Sequence, residues 1–179
     1  MNKYVIIIFV LISSSCYSQK YVSTKSLVEF FSEAPVENIE ATNSKGKSII
    51  DLETNEIVFS IPISSFEFEK SLMQEHFNEK YMESSKYPKA IYKGKIEDFD
   101  IDKSGVQIVK TKGKITIHGV EKDIEGEGEM TVNNGKISLS HSFHVTLKDH
   151  KIKIPQLLWQ NVAEVIDVKI NFDYEIYKK

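Results

Sequence analysis

In the C-terminal segment EVIDVKINFDYEIYKK, Ile166, Val168, Ile170, Phe172, Tyr174 and Ile176 take every second position, with Asp167, Lys169, Asn171, Asp173 and Glu175 between them. Side chains on a strand alternate between its faces, so this pattern requires a long strand with one buried and one wet face. KISLSHSFHVTL repeats the device. Ile137, Leu139, Phe143, Val145 and Leu147 share one face, and Ser138, Ser140, Ser142, His144 and Thr146 the other. His141 is the polar residue in that apolar row.

Further strands are expected at residues 57–63, 90–96, 105–109, 113–118, 124–132 and 48–52, with an early one around 27–31. The turn signals NSKG (43–46), DKSG (102–105), HG (118–119) and NNG (133–135) separate several of them. Many closely spaced antiparallel strands mean a sandwich or a closed barrel. One segment breaks the series: in SFEFEKSLMQEHFNEKYMESS, Phe68, Leu72, Met73, His76, Phe77 and Tyr81 recur at helical spacing behind a serine that suits an N-cap, which predicts a helix over residues 67–78. Tyr87-Pro88 then returns the chain to the sheet, because proline cannot continue a helix and holds the residue before it extended. Residues 155–163, with Leu157, Leu158 and Trp159, read as a second insertion. It either packs across a barrel end or serves as core under a long loop.

The N-terminus MNKYVIIIFVLISSSCYSQK has one lysine, a short apolar run and small residues before Gln19. That is the pattern of a secretory signal peptide, expected to be cleaved after Ser18 to leave a single domain over residues 19–179, secreted or periplasmic. Cys16, the sole cysteine, lies inside the leader, so the mature chain has no thiol or disulfide; a competing reading makes Cys16 the lipidated first residue of a lipoprotein. All 23 positive residues are lysine and the formal net charge is −3, which argues against nucleic acid as a partner. No second apolar run is long enough for a stable membrane span.

Two motifs carry a resemblance to a known family. KYPKAIYKG at 86–94 resembles the K-Y-P-x-A-x-F/Y strand opening of the YceI-like proteins, and GKITIHGVEK at 113–122 resembles their G-x-L-T-[IL]-H-G-V-x-K hairpin. The order of strand, helix, Tyr-Pro, strand, His-Gly hairpin and terminal alternating strand matches as well. The chain departs from the family pattern in having no arginine for the usual Arg-Asp pair. The resemblance implies an all-β fold, an antiparallel eight-stranded lipocalin-like barrel with an inserted short helix, in a secreted protein that binds an apolar polyisoprenoid, quinone-like or fatty-acyl ligand. An eight-stranded barrel is wide enough for one small or elongated ligand when its interior is lined rather than filled.

On this reading Leu139, His141, Phe143, Val145, Val168, Ile170, Phe172 and Tyr174 line the tunnel, and Leu72, Met73, Phe77, Tyr81 and Trp159 sit at its entrance. His141 and Tyr174 are candidates for meeting a ligand headgroup. The alternating rows alone are equally compatible with a filled core, and the rival function is a protein-interaction module of the cell envelope without a ligand. The sequence leaves a homodimer open.

Nothing points to catalysis, a cofactor or a metal. His141 and His144 are three apart on a strand and face opposite ways, so they cannot share an ion. His118 beside Gly119 is expected to bond local backbone, and His76 to lie on the helix surface. No G-x-S-x-G elbow, P-loop or G-x-G-x-x-G motif is present. GEGEM at 126–130 reads as a bulge or barrel bend with a solvated acidic face rather than a phosphate or calcium site.

Overall fold

The computed structural model describes residues 19–33, 38–154 and 162–178. The expected leader at 1–18, and Trp159 with Leu157 and Leu158, lie outside the described residues. The elements run β1 (Lys20–Ser32), β2 (Ile39–Asn43), β3 (Lys47–Asp51), β4 (Glu56–Pro62), β5 (Glu67–Phe68), α1 (Ser71–His76), β6 (Lys89–Glu97), β7 (Gly105–Ile117), β8 (Val120–Asn133), β9 (Lys136–Thr146) and β10 (Val165–Ile176).

Every pairing is antiparallel, in the order β10-β9-β8-β7-β6-β4-β3-β1, and β1 pairs back onto β10. That last ladder, from Tyr21 opposite Ile176 to Phe31 opposite Asp167, closes the sheet into an eight-stranded barrel. β2 and β3 act as one stave along β1, because Val28 opposite Asn43 and Val22 opposite Ile49 keep a single register across the break at residues 44–46. Buried Asn43 holds that break, its Nδ2 donating to the Pro62 carbonyl at 2.8 Å and its Oδ1 accepting from the Lys45 N–H at 2.8 Å. β5 prolongs β4 in the same way, pairing Phe68 with Ala41.

The long alternating strands form where expected. In β9 and β10, Ile137, Leu139, Val145, Ile166, Ile170, Phe172 and Tyr174 are buried, while Ser138, Ser142, His144, Asp167 and Asp173 are exposed.

Four expectations are corrected. Residues 105–109 and 113–118 belong to one strand, β7, because Lys110, Thr111 and Lys112 keep the out-in-out alternation between them. The GEGEM segment holds no bulge against β7, whose pairing with β8 runs unbroken from Gly105 opposite Val132 to Ile117 opposite Val120; on the other side of β8 the ladder to β9 runs only from Gly128 opposite His141 to Asn133 opposite Lys136. β2 was not anticipated, since IEATN shows only Ile39 and Ala41 as an apolar signal. The helix is shorter than residues 67–78. Glu67 and Phe68 are captured as a strand by the free edge of β2, and after α1 residues 77–81 form a π-helical turn closed by the Met82 N–H on the Phe77 carbonyl at 2.8 Å. The apolar spacing of the segment is right. The competing hydrogen-bond partners were not visible in it.

Gly94 and Gly113 face each other across β6 and β7. A β-carbon on Gly113 would run into the Lys93 carbonyl and the Gly94 Cα, both backbone atoms that cannot rotate away. Gly113→Ala is therefore expected to destabilise the barrel by about 1–3 kcal/mol through overpacking, read as a lower midpoint in urea with an unchanged slope.

Candidate functional site

The barrel interior divides into two halves along its axis. Toward the ends of β3 and β10 it is filled: Tyr174 is fully buried and its hydroxyl donates to Ser48 Oγ at 2.7 Å, while Ser48 Oγ donates to the Val58 carbonyl at 2.9 Å. Burial pushes the Tyr174 phenol far above its ordinary pKa, so it stays neutral. Across the middle, Tyr92 stacks on Phe59 (centroids 4.7 Å apart) and Phe59 on Phe172 (5.6 Å). This stack is a floor.

Beyond the floor lies a cavity of about 160 Å³. Val28, Ile61, Ile115, Ile117, Phe143, Val145, Ile166, Val168 and Ile170 supply much of its wall, each from the inward row of its strand. Phe30, Phe66, Phe68 and Phe77 form a mutually packed cluster, with ring centroids 5.0 to 5.7 Å apart, over this half of the barrel. Met73, Tyr81 and Met82, from α1 and the turn after it, complete that side. The π-helical turn places both Phe77 and Tyr81 on the cavity, a use of such turns often met at binding sites.

The expected lining residues are thus distributed over the barrel. Phe143, Val145, Val168 and Ile170 line the cavity; Leu139 and His141 line a smaller space of about 20 Å³ beside it; Phe172 and Tyr174 point inward but belong to the filled half. Of the expected entrance residues, Met73, Phe77 and Tyr81 line the cavity. Leu72 is exposed and off its wall, and Trp159 lies outside the described residues. Sequence reasoning missed the contributions of β1, β4, β6 and the turn after β4, including Phe30, Phe59, Ile61, Phe66 and Ala90. Ile57, Phe59 and Ile61 carry the same period-two signal as β9 and β10, which could have found them.

The histidines separate. His144 is exposed and meets Asp167 Oδ1 at 2.6 Å; His141 is buried with Nε2 3.2 Å from Thr111 Oγ1. Among the described residues no three His, Cys, Asp or Glu side chains converge as a metal site. His118 reaches partners distant in sequence rather than local backbone. Its ring lies between two distant acceptors, the His150 carbonyl 3.1 Å from Nδ1 and the Glu83 carboxylate 2.9 Å from Nε2.

Tyr87 packs on the His118 ring with centroids 4.4 Å apart, and a β-carbon on Gly119 would lie 2.5 Å from the Tyr87 ring. His118 and Gly119 both have positive φ, as a two-residue hairpin turn demands. The two segments that carried the family resemblance therefore meet in space and pin the exit of the helical insertion to the β7–β8 turn.

The YceI-like domain family matches residues 20–175 of the sequence. The chain belongs to the YceI-like family. Among solved structures, a polyisoprenoid binding domain from Saccharophagus degradans implicated in plant cell wall breakdown superposes with a TM-score of 0.75 at 15% identity, covering 88% of this chain and 98% of its own. BcnA of Burkholderia cenocepacia gives 0.70 at 14% identity, covering 83% and 95%. The Campylobacter jejuni YceI protein gives 0.62 at 20% identity, covering 82% and 90%. No curated protein matches the sequence. At these identities the likeness is one of fold, and this YceI-like chain shares the closed barrel with all three.

Burial holds His141 and His150 below the ordinary histidine pKa of 6.5. Each is favoured neutral in the fold, so below that pH the unfolded chain binds more protons than the native one. The stability they contribute is fully present above the unfolded value and is lost as the pH falls through 6.5 toward the lowered native values. Acidification from about pH 7.5 to about pH 5 should lower Tm, and a protein carrying His141→Gln and His150→Gln should show a shallower decline. Parallel declines would assign the acid sensitivity to other groups.

Proposed function

We propose that this barrel binds and carries one apolar molecule, a polyisoprenoid, quinone-like or fatty-acyl chain, in a secreted or periplasmic protein. The observation that supports it is the cavity: a space inside the barrel whose wall is almost wholly aliphatic and aromatic, in a fold where the other half is tightly filled. Moving apolar surface from water into it is favourable by about 25 cal/mol per Å² and needs no directional bond. The likeness in fold to the polyisoprenoid binding domain from Saccharophagus degradans supports the same ligand class. Binding rather than catalysis suits a cavity with this lining.

A cavity of about 160 Å³ is close to the roughly 150 Å³ that accepts a benzene-sized molecule in a protein core. A longer chain must therefore reach out between the Phe30, Phe66, Phe68 and Phe77 rings, or displace them. On this reading the phenylalanine cluster is the gate, and α1 carries part of it.

Organic extraction of detergent-free protein followed by mass spectrometry is expected to recover a stoichiometric lipid or quinone-like species absent from a mock preparation. Ala90→Phe, which places a ring into the cavity, should reduce that loading sharply while leaving Tm unchanged or raised, since a hole is being filled. Unchanged loading would place the ligand elsewhere. Phe77→Ala should change the rate of ligand uptake more than it changes stability; equal losses in both would make the ring ordinary packing.

A further inference from the structure

At the inner end of the cavity the barrel wall is built from missing side chains. Gly94, Gly113, Gly126 and Gly128 all lie on the inward rows of β6, β7 and β8. Tyr92 lies over the first two, and the His141 ring over the others: a β-carbon on Gly126 would sit 2.7 Å from His141 Nε2, and one on Gly128 2.8 Å from its Cδ2. The glycines let two polar rings lie flat against the wall, with Thr111 between them. Tyr92, Thr111 and His141 are 5%, 9% and 8% exposed.

Their hydrogen bonding is incomplete. Thr111 Oγ1 meets His141 Nε2 at 3.2 Å and the Gly126 carbonyl at 3.4 Å, while the Tyr92 hydroxyl faces Thr111 without reaching hydrogen-bond geometry to any partner among the described residues. A buried hydroxyl left unpaired is costly, which calls for an explanation at each such position. All three residues are among those that line the space of about 20 Å³, room for roughly one oxygen atom or water, whose wall is otherwise apolar. Phe59, Tyr92, Ile115, Phe143 and Ile170 wall both this space and the apolar cavity, so the two adjoin.

We propose that Tyr92, with Thr111 and His141, forms a subsite for the uncharged oxygen of a ligand head, a carbonyl or hydroxyl, with the apolar tail lying in the larger cavity. This rests on the apolar-ligand reading above and adds the chemistry of the head and its orientation. Tyr92 donates to the ligand oxygen, and His141 or Thr111 donates or accepts according to whether that oxygen is a carbonyl or a hydroxyl. An ionised head is rejected. Among the described residues no lysine, aspartate or glutamate lines either space, and burial favours the neutral forms of both His141 and Tyr92, so a carboxylate or phosphate there would be a buried charge without a partner.

The test uses the purified full chain and four ligands that share one branched tail size: geraniol, geranial, geranic acid and the hydrocarbon myrcene. Displacement of a fluorescent apolar probe should show geraniol and geranial binding about tenfold tighter than myrcene, the worth of one added hydrogen bond, with ionised geranic acid the weakest. Tyr92→Phe should abolish that preference while retaining the affinity for myrcene and a Tm at or above that of the native chain. The carbonyl stretch of bound geranial should be lower in the native protein than in Tyr92→Phe. Equal affinity for all heads, uniform weakening of all four by Tyr92→Phe, or tightest binding of geranic acid would each overturn the subsite while leaving the apolar cavity standing. Failure of myrcene and the others alike to bind would overturn the cavity reading, and the subsite with it.

Discussion

The ladder between β1 and β10 is the contact on which the rest depends. It joins the first strand to the last and so closes the ring of eight staves, pairing the two edges that an open sheet would leave to water. Closure fixes the circumference, and the circumference fixes how much side chain is needed to fill the interior. An eight-stranded barrel stands near the limit where inward residues can meet across the axis. Large rings at Tyr92, Phe59, Phe172 and Tyr174 fill one half, whereas the aliphatic rows of the other half stop short and leave the cavity.

The glycines tune this geometry locally. At four inward positions on adjacent strands they replace wall with space, and the space is taken by a tyrosine and a histidine rather than by aliphatic carbon. A core selected only for stability would place apolar side chains there, since unpaired polar atoms in a low-dielectric interior are costly. The arrangement sits beside the cavity, while its outward neighbours Glu125, Glu127 and Glu129 are solvated and ordinary.

The contact of Tyr87 with His118 and Gly119 shows how local sequence features serve a global end. Pro88 turns the chain back into β6 and its carbonyl accepts from the Ile63 N–H at 2.9 Å, while Glu83 and the His150 carbonyl hold the His118 ring. The helical insertion is tethered at its exit to a hairpin that follows it by thirty-odd residues. Its apolar face, through Phe77 and Tyr81, is in this way kept over the cavity.

Period-two alternation determined the long strands, their buried faces and the outward position of His144, because side-chain direction on a strand is a local property. The Tyr-Pro and His-Gly segments likewise marked the end of the insertion and a hairpin. The short stave β2, the capture of Glu67 and Phe68 as strand, and the unbroken course of β8 through its glycines required the neighbouring strands, since each depends on a hydrogen-bond partner distant in sequence. The same is true of the site. Sequence could say that Leu139, His141, Phe143 and Tyr174 point inward, but their depth along the barrel is set by register and closure. Only the tertiary structure decided that Phe143 faces a cavity, that Tyr174 is locked in the filled half, and that His141 joins Thr111 and Tyr92 where those halves meet.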